Sequence, residues 1–325
     1  AATYGWTPLA EREDKLQESG WHKREWVSGP ELTFMMLDYY DHTLDEDFLT
    51  ETVLPAAGEF LTFFDALYPT NADGEMVMHP AMACETWWDC TNPMPELAGL
   101  HAVTARLLAL PERLTSLEQR TFWTALRGKL PPLPTREVGG ERAFAPAAEF
   151  ADKRNIENPE LYAVFPFRLA SFEKANAGLA RAALDNRWDR GHAGWRQDDL
   201  FMAYLGLAEP ARDALVRRAR DKHDRSRFPA FWGPNYDWVP DQDHGGILTR
   251  TLQAMVLQSD PYSRKIFVLP AWPSDWDVDF RLHAPYRTVI QGRVTDGVLR
   301  ELQVTPESRR SDVVICPVQE EKDGR

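Results

Sequence analysis

Apolar residues recur at three- and four-residue intervals along most of this chain and then, beyond Pro261, at every second position. This switch of period constrains the fold more than any other feature. A 3.6-residue repeat buries its apolar stripe as a helix, and a two-residue repeat buries one face of a strand. Leu49, Thr52, Val53, Ala56, Phe60, Phe63, Phe64 and Leu67 predict a helix over roughly 46–68, with Asp45 as its N-cap. Glu31 to His42 reads as an aromatic-rich helix, and Glu96 to Leu110 as another with Leu97, Leu100, Val103, Leu107 and Leu108 on its apolar face. Thr115-Ser-Leu-Glu118 reads as a capping box that opens a helix to about Leu130. Further amphipathic helices are expected near 171–186, 195–206 and 208–222, with their arginines on solvated faces, and another over 247–259. Residues 131–146, rich in Pro and Gly, read as a long loop, and 224–246 as a second one. After Pro261 the segments KIFVLPAW, VIQGRV and VLRELQV alternate in β fashion, and Asp296-Gly297 between the last two is a hairpin signal. The expected organisation is therefore a helical body over 1–260 and a small β-rich region over 261–325. Successive helices joined by long loops on one side suggest helical hairpins set in a ring.

Composition narrows the chemistry. Of 325 residues, 43% are hydrophobic, enough for a substantial core, and 12 are Trp. A tryptophan excess fits either a large helical core or a protein that stacks on sugar rings. The net charge of −13 argues against broad binding to nucleic acid or anionic membranes, which needs a positive field. No run of about 18 apolar residues is present, so no membrane span is expected. Cys84, Cys90 and Cys316 are too few for a disulfide scaffold, and no CxxC occurs. Cys84 and Cys90 read as buried thiols, with a local disulfide as the alternative. No signal peptide is recognised, which leaves the compartment undetermined; a secreted or periplasmic setting is compatible.

Two loops concentrate chemically capable side chains. The stretch Gly74–Val103 carries Glu85, Trp87, Trp88, Asp89, Asn92 and Glu96. Indole rings offer flat apolar faces to the C–H faces of sugars, and a carboxylic acid beside them tends to keep its proton, as a general acid must. The same residues would also make a buried aromatic cluster capped by solvated acids. The second loop carries Phe231, Trp232, Tyr236, Trp238, Asp241, Asp243 and His244, followed by two glycines and a helix. Asp243, close to a helix N-terminus, is favoured in its ionised form, as a general base requires, or simply caps the helix. Carboxyls pushed apart in this way are the glycosidase arrangement. The spacing of Asp241, Asp243 and His244 matches neither an EF-hand nor HExxH, so no metal is expected, and no cofactor motif is present. GxSxG, P-loop and GxGxxG motifs are absent as well.

In these motifs the chain resembles the helical catalytic region of the (α/α)6-toroid, or six-hairpin, glycoside hydrolases, specifically family 95, the inverting α-L-fucosidases and α-L-galactosidases, or an uncharacterised relative of that family. Gly74-Glu-Met-Val-Met-His-Pro80-Ala-Met-Ala-Cys-Glu85-Thr keeps the frame of the family's Gly-x-Leu-Val-x-x-Pro-Ser-x-Ser-Pro-Glu-Asn. Asp241-Gln-Asp243-His-Gly-Gly, then Met255-Val-Leu-Gln-Ser259, then Leu269-Pro-Ala-Trp-Pro-Ser-Asp-Trp276 follow its closing motifs. Asn158-Pro-Glu-Leu-Tyr-Ala-Val-Phe-Pro166 and Gly194-Trp195-Arg-Gln-Asp-Asp-Leu are similar to two further segments. The likeness runs from about residue 26 to 305. The family's Asn-x-Asn pair, its N-terminal β-sandwich and its first helices have no counterpart here.

The resemblance implies an inverting, exo-acting glycosidase that removes an α-L-fucoside- or α-L-galactoside-like terminal sugar from an oligo- or polysaccharide. Glu85 would be the general acid and Asp243 the base, with the two carboxyls ~6.5–9.5 Å apart. Trp87, Trp88, Asn92, Glu96, Trp232, Tyr236, Trp238, Asp241 and His244 would line the sugar site. Two alternatives stay open. One is a polysaccharide lyase using Tyr236 and His244 with Arg250 nearby. The other is a non-catalytic sugar-binding relative.

Overall fold

The computed structural model describes residues 11, 19–21, 23–224 and 242–316. These fall into two compact units, one formed by residues 1–37, 46–169 and 178–189, the other by 38–45, 170–177 and 190–325. Helices and several small, chiefly antiparallel sheets mix in both. The chain is thus richer in strand than the mainly helical body expected from its periodicity.

In the first unit, α1 (Ser28–Thr43) contributes Phe34 and Leu37 to the core. The predicted 46–68 helix is α2 (Glu46–Phe48), a π-helical turn (Leu49–Val53) and α3 (Leu54–Leu67). Pro55, at the start of α3, has no N–H to bond the carbonyl four residues back, and a π turn is one way a helix absorbs such a gap. Strands β1 (Ala81–Ala83) and β2 (Trp87–Pro93) form a hairpin where the sequence predicts a loop, and α4 (Met94–Ala109) follows directly. The next helix, α5 (Leu117–Lys129), does open with a capping box, but one residue later than predicted. Ser116 and Gln119 make the reciprocal bonds, because Ser116 is the residue in extended conformation just before the helix.

The Pro/Gly-rich stretch 131–146 is not a loop either. It holds the hairpin of β3 (Thr135–Val138) and β4 (Glu141–Phe144). Gly139 and Gly140 form its two-residue turn with φ of 61° and 83°, values that glycine adopts without a Cβ penalty. Strands β5 (Ala147–Glu149) and β6 (Asp152–Lys153) both pair with β2, so β2 is the centre of a small antiparallel sheet. Helix α6 (Ala177–Asp185) completes the unit.

In the second unit, α7 (Asp198–Tyr204), α8 (Ala208–Arg220) and α9 (Asp243–Val256) pack on one another. The end of the predicted 247–259 helix is extended instead: β7 (Leu257–Ser259) pairs with β8 (Ile266–Val268), which also pairs in parallel with β12 (Val313–Ile315). Between them β9 (Val278–Ala284), β10 (Thr288–Thr295) and β11 (Val298–Thr305) form an antiparallel sheet. The hairpin expected at Asp296-Gly297 is present, with Thr295 opposite Val298 and both turn residues at positive φ. Trp272 of the Leu-Pro-Ala-Trp-Pro segment is buried, and its indole N–H donates to the Trp276 carbonyl at 2.8 Å.

Candidate active site

Glu85 stands at the tip of the β1–β2 hairpin, half-buried, in the turn Cys84–Thr86. Cys84 enters that turn at φ 50°, a left-handed conformation unusual for a residue with a Cβ. The segment Arg154–Glu157, just after β6, clamps the turn. Arg154 N–H donates to the Thr86 carbonyl at 2.7 Å. Asn155 Nδ2 donates to Glu85 Oε2 at 3.2 Å. Glu157 Oε2 accepts both the Glu85 N–H at 3.0 Å and the Thr86 hydroxyl at 2.9 Å. The Glu157 N–H returns to Thr86 Oγ1 at 3.0 Å. The backbone under Glu85 is therefore fixed on the carbonyl side, the amide side and at the side chain together.

Two indoles flank the tip in different ways. Trp88 is half-buried, donates its Nε1–H to the Glu85 carbonyl at 2.9 Å and meets Trp21 edge-on at 5.1 Å. Trp87 is 6% exposed and sits edge-on against Phe150 and Trp188, so it belongs to the core beneath the tip. Asn92 turns its amide inward: Oδ1 accepts the Met78 N–H at 2.8 Å while its own N–H donates to the Met78 carbonyl at 3.0 Å. That bridge holds residues 76–78 against β2.

Carboxyls collect around this turn beyond those the sequence motifs single out. Burial, followed by the charges of Glu25 and Glu85, pushes Glu157 up to about 7. Burial and then Glu25 push Glu31 up to about 7. Glu96, in the first turn of α4, is buried and held well above the usual carboxylate range by that burial. Its Oε1 accepts the Trp26 N–H at 3.2 Å, and its Oε2 has no partner. The Tyr162 hydroxyl bonds Cys84, and burial raises both groups. Cys84 and Cys90 are free thiols. Nearby, Glu160 is fully buried, with neither carboxyl oxygen meeting a side-chain partner, and is also raised to about 7 by burial. Glu157 belongs to no motif, and Glu160 lies in the Asn158–Pro166 segment with no role attached to it. The available signal was the recurrence of acids at Glu157 and Glu160 beside Asn155 and Asn158.

The second predicted carboxylate lies in the other unit. Asp243 is exposed and is the first residue of α9; Gln242 is the N-cap and makes no side-chain capping bond. His244 beside it is buried, with both ring nitrogens engaged by main chain. Nε2 donates to the Arg218 carbonyl at 2.8 Å and Nδ1 accepts the Gly194 N–H at 3.2 Å, which fixes the neutral tautomer. Burial lowers its pKa in the same direction. Trp232, Tyr236, Trp238 and Asp241 lie outside the described residues. The first unit thus brings Glu85, Trp87 and Trp88 together, with Asn92 and Glu96 in the supporting sheet and helix. Among the described residues, no group of His, Cys, Asp and Glu is arranged to hold a metal ion. Nor is any helix there long and apolar enough to cross a membrane.

The arginines of 195–222 are not all on solvated faces, contrary to the sequence expectation. Arg218 is fully buried and grips Asp199, also fully buried, through Nε at 2.8 Å and Nη2 at 3.0 Å. Its remaining donors reach the Gly194 and Arg196 carbonyls. Helical periodicity cannot tell an inward guanidinium from a solvated one when the partner comes from a different helix.

No protein-family model matches the chain, and no curated protein matches it. Among solved structures, one described as a putative kojibiose phosphorylase from human microbiome matches with a TM-score of 0.49 at 9% identity, covering 84% of this chain and 42% of that one. The chain therefore spans less than half the length of that structure. The likeness bears on neither residue roles nor substrate.

Proposed function

We propose that this chain is a carbohydrate-active enzyme of (α/α)6-toroid type that cleaves a glycosidic bond by acid–base catalysis. The observation that carries the reading is the Glu85 turn: a half-buried carboxyl on a clamped hairpin tip, beside the indole of Trp88 and within a group of carboxyls that burial keeps protonated near neutral pH. Glu85 is the proton donor to the glycosidic oxygen. Asp243, at the start of α9, is the base that activates water. The motif resemblance supports an inverting, exo-acting reaction on an α-L-fucoside- or α-L-galactoside-like sugar.

A lyase reading would use His244 as an acid–base group. Both of its ring nitrogens are committed to main-chain groups, which favours hydrolysis over elimination. The test is a panel of aryl α- and β-glycosides that includes the α-L-fucoside and α-L-galactoside, run with Glu85→Gln and Asp243→Asn. Turnover that falls about 10²–10⁴-fold in each folded variant supports the assignment. Turnover unchanged in Glu85→Gln would remove Glu85 from the mechanism.

A further inference from the structure

We propose that His192 is a substrate-binding residue of the second unit: with Asp221 holding its ring, His192 Nδ1 accepts a hydrogen bond from a hydroxyl of a neutral sugar beside Asp243. The inference rests on Asp243 belonging to the sugar site of the proposed function.

His192 lies in the loop 190–197, and its Nε2 stands 2.6 Å from Asp221 Oδ2. An ionised carboxylate only accepts, so Nε2 carries the hydrogen and Nδ1 of the neutral ring keeps its lone pair. Nδ1 meets no hydrogen-bond partner among the described residues, and the side chain is 30% exposed. The main chain on either side of His192 is already pinned. The Gly191 N–H donates to Asp198 Oδ2 at 2.9 Å, and Arg218 Nη1 donates to the Gly194 carbonyl at 2.9 Å. An ion pair with both partners partly exposed adds little stability to a loop fixed in this way. Nor does Asp221 serve its helix, because it is the C-cap of α8, the end whose dipole disfavours a carboxylate. What the contact does fix is the tautomer and direction of the imidazole.

The free nitrogen lies in the setting of Asp243. His244, the residue after Asp243, joins Gly194 to the Arg218 carbonyl, so it ties the same loop to the same end of α8 that His192 and Asp221 join. Asp221 is near enough to His244 for its charge to act there. The two histidines divide the work: His244 commits both nitrogens to main chain, and His192 keeps one for a ligand. A lone pair on a neutral ring calls for a hydroxyl donor, which a sugar supplies.

The experiment is titration calorimetry of the full chain with L-fucose and L-galactose, for wild type, His192→Ala, His192→Asn and His192→Gln. The amide oxygen of His192→Asn stands near the place of Nδ1 and can accept from a hydroxyl, but the side chain is too short to keep the tie to Asp221. The amide of His192→Gln stands near the place of Nε2 and keeps that tie without an acceptor at Nδ1. The expected result is a dissociation constant raised about 3–10-fold in His192→Ala and His192→Gln, and close to wild type in His192→Asn. Affinity restored in His192→Gln but not in His192→Asn would make His192 a structural tie and overturn the inference. Wild-type affinity in all three variants, or no binding of either sugar by wild type, would overturn it as well. Should a variant fail to fold, NMR of wild type with 15N-labelled histidine decides: the His192 Nδ1 resonance moves on addition of sugar if the inference holds and stays if it does not. The same spectra test Asp221 as the positioning residue, since Asp221→Ala should turn a single Nε2–H tautomer into a mixture. An unchanged tautomer would remove Asp221 from the proposal. Sugar binding that depends on His192, with no hydrolysis of any aryl glycoside, would overturn the proposed function and leave the inference standing. Hydrolysis with KM unchanged in His192→Ala would do the reverse.

Discussion

Thr86 and Glu157 form a closed pair: the Thr86 hydroxyl donates to Glu157 Oε2 at 2.9 Å and accepts from the Glu157 N–H at 3.0 Å. One buried hydroxyl thus satisfies a carboxyl oxygen and a main-chain donor at once. Thr86→Val keeps the shape and removes both bonds, leaving the Glu157 N–H without its acceptor. The expected cost is about 2–3 kcal/mol, from two buried polar groups left short of partners. Thr86→Ser should recover most of it. Urea unfolding of the three proteins checks this, and a Thr86→Val midpoint equal to wild type would show the pair to be dispensable.

Stability should fall as pH rises from about 4.5 to 7. Glu31, Glu157 and Glu160 are each raised from 4.5 to about 7 in the folded chain. Below about 4.5 they are protonated in both states and cost nothing. Between the two values the unfolded chain has released protons that the folded chain retains, so unfolding gains with pH. Above about 7 the full penalty is present. Glu160 is the cleanest probe because burial dominates its shift. Glu160→Gln should flatten the slope and stabilise the protein at pH 8 by roughly 1–3 kcal/mol, with little effect at pH 4.5. Denaturant unfolding at a series of pH values reads both, and a slope unaltered in the variant would show that Glu160 ionises freely.

Much of the helical framework was legible because its signals are local. The periodicity that placed the 46–68 helix is a property of adjacent turns, as is the Asp296-Gly297 signal for a hairpin. The capping box was displaced by one residue because Thr115-Ser116 offers two hydroxyls, and only backbone conformation decides which one caps. The β1–β2 and β3–β4 hairpins were missed for a different reason. Strands β1, β3 and β4 are only three or four residues long, Gly139 and Gly140 of the β3–β4 turn read as loop residues, and β2 is held in part by pairing with β5 and β6, more than 50 residues on. At the candidate site, Glu85 and the tryptophans stood out as residue types. Glu157 did not, because its role comes from a contact 72 positions away.

The β3–β4 turn offers a direct check on the strand reading of 131–146. Gly139 and Gly140 both hold positive φ, and no atom lies close enough to obstruct a Cβ at either. Any cost of Gly140→Val is then backbone strain rather than a clash. A loss of about 1–2 kcal/mol is expected, and Gly140→Asn should lose less, since Asn tolerates this conformation. Equal stability for the Val and Asn variants would argue against the turn.

Arg218 and Asp199 make the sharpest energetic prediction in the second unit. Both are fully buried and joined by two hydrogen bonds, so removing one partner strands the other charge without solvent. Arg218→Met should cost about 3–5 kcal/mol, and Asp199→Leu a similar amount. The double variant strands no charge and should recover much of the loss, giving a coupling of a few kcal/mol in the cycle. Recovery will stop short of wild type, because Arg218 also satisfies the Gly194 and Arg196 carbonyls, and methionine cannot. Arg218→Lys is expected to behave more like the methionine variant than like wild type, since an ammonium cannot reproduce the forked contact to the carboxylate and reach two carbonyls as well. Additive losses in the double variant would mean that Asp199 draws its compensation from elsewhere.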